Sequence, residues 1–222
     1  RHLPALTVAL IALNLAVFLF ELSLSPDTLR GCLNRFGLIP LRYTDPAWAR
    51  TVGFPGDLYL PFVTSMFLHG GWMHLIGNMW TLWIFGDNVE DRMGAVRYLL
   101  FYLVCGLAAS LVQFAAHPHA RIPTVGASGA IAGVMGAYLV MFPRARILML
   151  FPIFFYPMFF VMPAVVYLAY WFAIQVMSGA WAVGSQQVGG IAWWAHAGGF
   201  LAGILLHRLF LRPRRRRAIP TP

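Results

Sequence analysis

Gly126-Ala-Ser128-Gly129-Ala-Ile-Ala132-Gly133-Val-Met-Gly136-Ala-Tyr138 is an apolar run built from small residues. It carries one aliphatic hydroxyl, Ser128, at its head. Small residues at this density let helix backbones approach closely in lipid. A serine in such a helix is ordinarily a packing residue, so Ser128 alone says little. Three further polar stations occur in other apolar segments: His69, then His74 with Asn78, and finally His196.

Composition sets the class. The 222 residues are 60% hydrophobic and 10% charged, against roughly 25% charged in soluble domains. The chain therefore reads as one polytopic membrane domain over 1–222, with too little polar sequence for a second, soluble one. All sixteen basic residues are arginine, and the net charge is +9. Arg212 and Arg214 to Arg217 cluster just after the last apolar segment. That placement points to anionic lipid headgroups, not to nucleic acid. Cys32 and Cys105 fall in a loop and an apolar helix, which disfavours a disulfide and gives no metal-binding spacing. No cleavable signal pattern is present, and the start at Arg1 without a methionine reads as a trimmed N-terminus.

Apolar runs predict six spans, at about 6–22, 72–86, 95–116, 126–142, 162–177 and 192–211, with a basic tail at 212–222. Residues 23–57 read as a long surface loop, 87–92 as a short charged turn, and 117–123 as a polar connection. Pro152, Pro157 and Pro163 break the stretch before span five into a broken or re-entrant segment. Six spans place both termini on one side. Arg92, Arg97, Arg144, Arg146 and the C-terminal arginines all fall there, so the termini are expected in the cytoplasm. The fold class expected is an all-α membrane bundle of six transmembrane helices.

Spans two, four and six then run inward in parallel, and the polar stations share the outer membrane depth. His74 and Asn78 are four residues apart and share a helix face. Gly129, Gly133 and Ala137 repeat every four residues on span four, as do Ala195, Gly199 and Gly203 on span six. Packing on these stripes would bring Ser128 and His196 within hydrogen-bond reach.

A serine hydroxyl becomes a nucleophile when a base takes its proton, and a neutral imidazole suits that role. Asn78, His74 and the Ser128 backbone N–H are candidate donors for an oxyanion, with the start of span four favouring negative charge. Of the seven acids only Glu21 approaches a span, at its end, so a Ser–His dyad is expected. The missing carboxylates disfavour an aspartyl protease, and the absent His-Glu-x-x-His disfavours a zinc protease.

The ordered set His69-Gly-Gly-Trp-Met-His74-Leu-Ile-Gly-Asn78, Gly126-Ala-Ser128-Gly129 and Ala195-His196-Ala-Gly-Gly-Phe-Leu-Ala-Gly203 resembles the rhomboid family of intramembrane serine proteases. The resemblance covers all six spans and implies a rhomboid-like bundle. It implies Ser128 as nucleophile, His196 as general base, and His74 and Asn78 on the oxyanion side. His69 is implied as a supporting residue, beside Gly126 and Gly129 in the motif. It further implies cleavage of transmembrane protein substrates near their outer end, in the lipid bilayer, without metal or cofactor. One position departs from the pattern. Ala132 stands where family members often carry an aromatic residue stacked on the histidine, so Trp193 or Trp194 is expected to hold His196 instead.

His117 and His119 read as loop residues, and His207 as an inner-end interface residue. A non-proteolytic relative that binds transmembrane clients would tend to lose the dyad. A channel or transporter would show internal repeats or buried charges, and neither is visible. Residues 184–190 are expected to cap an outward-open cavity, and span five to act as a lateral gate. Arginine usage and the lack of extra domains lean toward a bacterial or archaeal plasma membrane.

Overall fold

The computed structural model describes residues 3–53, 59–153, 156–184 and 190–213. Most of the expected cap at 184–190, the arginines from Arg214 onward and His2 lie outside the described residues. The chain opens with α1 (Ala5–Ser23). The expected loop at 23–57 is instead largely helical: α2 (Pro26–Phe36), α3 (Leu41–Thr44) and α4 (Pro46–Thr51) follow directly. The cause is local. The Ser25 hydroxyl accepts from the Thr28 N–H, the Asp45 carboxylate accepts from the Trp48 N–H, and each capped helix starts on a proline. A short helix α5 (Pro61–Thr64) and a 3₁₀ turn (Ser65–Phe67) lead to α6 (Trp72–Met93) and α7 (Ala95–Ala116).

The expected charged turn at 87–92 is a further correction, because α6 runs unbroken to Met93 and stops at Gly94, whose φ is 80°. Glu90 explains the extension. Its carboxylate is buried and accepts from the backbone N–H groups of Leu6 and Thr7, at 2.9 and 2.8 Å, and from the Thr7 hydroxyl at 2.8 Å. A negative charge at the free N–H groups of a helix start is well placed, so α6 caps α1. Glu21 is buried as well and accepts from the His69 N–H at 3.2 Å. Among the described residues two acids, Glu21 and Glu90, are therefore buried among the packed helices.

After α8 (Ser128–Met141) the segment expected to be broken or re-entrant forms an antiparallel hairpin, β1 (Arg146–Ile153) with β2 (Tyr156–Pro163). Prolines exclude a helix there, and Pro152 pairs with Pro157 near the turn end of the hairpin. The next helix, α9 (Ala164–Gly184), starts after Pro163 and extends beyond the expected 162–177. The last is α10 (Trp193–Phe210).

Among the described residues, α1, α7 and Ala164–Ala182 of α9 are long and apolar enough to cross a membrane. Helix α8 has 14 residues, about 21 Å at the α-helical rise, against a hydrocarbon core of about 30 Å. It is the central element: every residue from Gly129 to Tyr138 is buried, enclosed by α6, α7, α9 and α10. Helices α8 and α10 touch backbone to backbone. A Cβ on Gly199 would overlap the Gly129 carbonyl oxygen, one on Gly203 the Gly133 carbonyl, and one on Gly136 the Phe200 carbonyl. The register 129 with 199 and 133 with 203 makes the two helices parallel. At the same seam Gly129 and Gly133 also meet Ala109 and Cys105 of α7.

Gly203→Val is therefore expected to destabilise the fold by about 1–3 kcal/mol or more through overpacking, read as a lower unfolding midpoint in detergent. A Cβ on Gly31 of α2 would meet nothing within 4 Å among the described residues, so Gly31→Ala should leave that midpoint unchanged or raise it.

Candidate functional site

The starts of α6, α8 and α10 converge. Two backbone ties fix the segment entering α8: Leu38 and Thr124 exchange N–H···O bonds of 3.0 and 2.8 Å, and the Gly126 N–H donates to the Ser65 carbonyl at 2.8 Å. Gly126 has φ 128°, where a side chain is strained. A Cβ there would also stand 2.6 Å from His74 Nε2. Glycine lets this turn pass beneath His74 and deliver Ser128 as the first residue of α8.

Ser128 Oγ lies 2.8 Å from His196 Nε2. The other ring nitrogen, Nδ1, is 2.8 Å from Gln175 Oε1 of α9. Gln175 is buried, and its Nε2 donates to the Trp171 carbonyl at 3.1 Å. The Trp171 ring lies against the imidazole, with centroids 5.8 Å apart and planes at 33°. Trp193 meets the same ring edge-on at 6.4 Å. Trp194 packs instead on Gly179 of α9. The departure at Ala132 is thus met by a residue of α9, with Trp193 as the second aromatic neighbour. Gln175 and Trp171 were not singled out from the sequence, although a glutamine inside an apolar span is a functional candidate by default, and the two sit four apart on one helix face.

His74 and Asn78 project from the first turns of α6. Asn78 Nδ2 is 3.0 Å from His69 Nε2, and the His69 and His74 rings meet edge-on at 5.2 Å. His69 is anchored through its backbone N–H to Glu21, which joins α1 to the site. Ser128, His196, His74 and Asn78 all line one cavity of about 960 Å³. Its wall also includes Gln113, His117 and His119, so the two loop histidines face the same space. Gln113 of α7 accepts from the Ala195 N–H at 3.3 Å, steadying the first turn of α10. Among the described residues no side chain caps α8, so its first-turn N–H groups point beside Ser128 without intrahelical acceptors. His207 is buried at the far end of α10, where its Nδ1 meets the Ile204 carbonyl at 2.8 Å.

The chain is similar to known proteins over most of its length. The family profile described as "Rhomboid domain" matches residues 56–213. The chain is 30% identical over 212 residues to "Rhomboid protein 1, mitochondrial" of Saccharomyces cerevisiae, covering 92% of this chain and 53% of that protein. It is 31% identical over 158 residues to "RHOMBOID-like protein 6, mitochondrial" of Arabidopsis thaliana, covering 60% and 50%. It is 43% identical over 77 residues to "Rhomboid protease GluP" of Bacillus subtilis, covering 35% and 15%. The chain spans about half the length of the first two relatives. The mitochondrial names among them give no support to the expected bacterial or archaeal membrane. A profile covering most of the chain, over helices apolar enough to span a bilayer, identifies an integral membrane protein, and the chain belongs to the rhomboid family.

Proposed function

We propose that this chain is an intramembrane serine endopeptidase that cuts transmembrane proteins with a Ser128–His196 dyad. The observation that carries the reading is the 2.8 Å contact between Ser128 Oγ and His196 Nε2 on the wall of a large cavity. Rhomboid membership and a relative named a rhomboid protease support it. In this reading His196 Nε2 takes the Ser128 proton as Oγ attacks the scissile carbonyl carbon. The carbonyl oxygen becomes an oxyanion beside the α8 start. There the Ser128 N–H and the helix dipole favour negative charge. Asn78 commits one amide hydrogen to His69 and has a second for the oxyanion. His74, beside Gly126, completes that wall. His196 returns the proton to the leaving amine, which departs and leaves an acyl-serine. It then takes a proton from water, whose oxygen attacks the acyl carbon, and gives that proton to Oγ as the C–Oγ bond breaks, which frees Ser128 and the new carboxylic acid.

The proposed architecture is the six-helix rhomboid bundle, with α1, α6, α7, α8, α9 and α10 as its spans. Both termini lie on the cytoplasmic side. The arginine end supports this. The Arg212 N–H donates to the Arg92 carbonyl at 3.1 Å, Arg97 donates to the Leu211 carbonyl at 2.8 Å, and the Arg92 guanidinium lies 5.9 Å from the Phe142 ring centre. These contacts gather the ends of α6, α8 and α10 with their arginines, opposite Ser128. The water that hydrolysis needs enters through the cavity. Helix α9 has few buried positions facing the bundle, which suits a gate for a substrate helix. Cross-linking α9 to α6 should then block cleavage of a transmembrane reporter while a small serine probe still reacts.

A fluorophosphonate probe applied to the detergent-purified protein should add to Ser128, mapped by mass spectrometry. The adduct should vanish in Ser128→Ala and His196→Ala. A folded wild-type protein that fails to react would contradict the reading. Asn78→Ala should slow cleavage of a transmembrane reporter by about 10²–10³-fold, the usual cost of one oxyanion donor.

A further inference from the structure

We infer that Gln175 of α9 is a positioning residue that sets the tautomer of His196, in the place where a carboxylate would complete a triad. This rests on the serine-protease reading and deepens it. Gln175 is buried, so both ends of its side-chain amide need protein partners. One end faces the Trp171 carbonyl at 3.1 Å, which only an N–H can satisfy. The NH₂ group therefore sits there, and Oε1 faces His196 Nδ1 at 2.8 Å. An oxygen acceptor at that distance requires a proton on Nδ1. A neutral imidazole protonated at Nδ1 has a bare Nε2, and Nε2 is the atom 2.8 Å from Ser128 Oγ. The reversed amide would set two oxygens against each other and move the imidazole proton to Nε2, where it could not accept from serine.

The Trp171 carbonyl thus orients the amide, the amide orients the imidazole, and the imidazole faces the hydroxyl. The Trp171 ring, one turn before Gln175, closes the same imidazole from one side. A neutral amide does this without a second buried charge, which would be costly in a membrane. Because Trp171 and Gln175 both belong to α9, the readiness of the dyad depends on α9 being seated against α10.

The test compares Gln175→Leu and Gln175→Glu with the wild type, reading the rate of Ser128 labelling and of reporter cleavage across pH. The titratable groups facing His196 and the cavity are His74 on α6, Ser128 on α8, Tyr167 on α9, and His117 and His119 after α7, with neutral Gln113 on α7 and Trp193 on α10. No acid is among the described lining residues. Gln175→Leu should lower the maximal rate by about 10²–10⁴-fold, toward the loss seen when a triad histidine holds the wrong tautomer, with KM little changed. Gln175→Glu keeps an acceptor for Nδ1–H and should recover at least tenfold over Gln175→Leu. Its carboxylate favours the imidazolium, so the acid limb of its pH profile should move up by about 1–3 pH units. A Gln175→Leu protein that labels at the wild-type rate and pH would overturn the assignment, as would a Gln175→Glu protein no better than Gln175→Leu. The ¹⁵N shifts of His196 in selectively labelled wild-type protein give a readout independent of activity and of whether the variants fold. Protonation at Nδ1 is expected. Protonation at Nε2 would overturn the inference even if Ser128 labels normally, and a correct tautomer with no labelling would fault the protease reading instead.

Discussion

The contact on which the site depends is the bare-backbone packing of α8 on α10. Helices without a hydrophobic driving force between them associate through close approach. Here the Gly129 and Gly133 carbonyls occupy the space where Gly199 and Gly203 lack side chains. That register sets Ser128, one residue before Gly129, opposite His196, three residues before Gly199. A side chain at Gly199 or Gly203 would overlap a carbonyl of α8 and push the two helices apart. The same glycines leave α8 free to be buried on all sides, which a 14-residue helix shorter than the bilayer requires.

Charge is handled with equal economy. Glu90 and Glu21 are buried, yet each answers backbone N–H groups instead of the imidazole: Glu90 caps α1, and Glu21 holds the His69 segment. These two contacts tie α1 to both ends of the α6 region. The Ser128–His196 pair is surrounded by amides, aromatic rings and histidines. Desolvated polar groups in such a place are tolerated when each has a partner, and Gln175, Gln113 and Asn78 each have one.

Much of this was legible in the residues. The four-residue spacing of small side chains on spans four and six carried the α8–α10 seam, and the shared depth of His74, Asn78, Ser128 and His196 carried the convergence of helix starts. What escaped depended on partners distant in the chain. The run at 87–92 looks like a turn because its charges are visible and the N–H groups that absorb Glu90 are some eighty residues away. The caps at Ser25 and Asp45 were readable locally, yet the arginines and prolines of 23–57 suggested a loop. The prolines of 146–163 spoke against a helix without specifying a hairpin, which needs the cross-strand register. Trp193 and Trp194 are next to His196 in the chain, whereas the closer ring belongs to Trp171, on another helix.

The most direct test of the central claim is cleavage in a bilayer. Wild-type protein and Ser128→Ala are reconstituted into proteoliposomes with a single-span reporter, and the products are weighed by mass spectrometry. The wild type should cut the reporter at a bond in or near the outer end of its transmembrane segment, and Ser128→Ala should cut nothing. Cleavage that persists in Ser128→Ala, or a folded wild type that leaves a panel of such reporters intact, would contradict that claim.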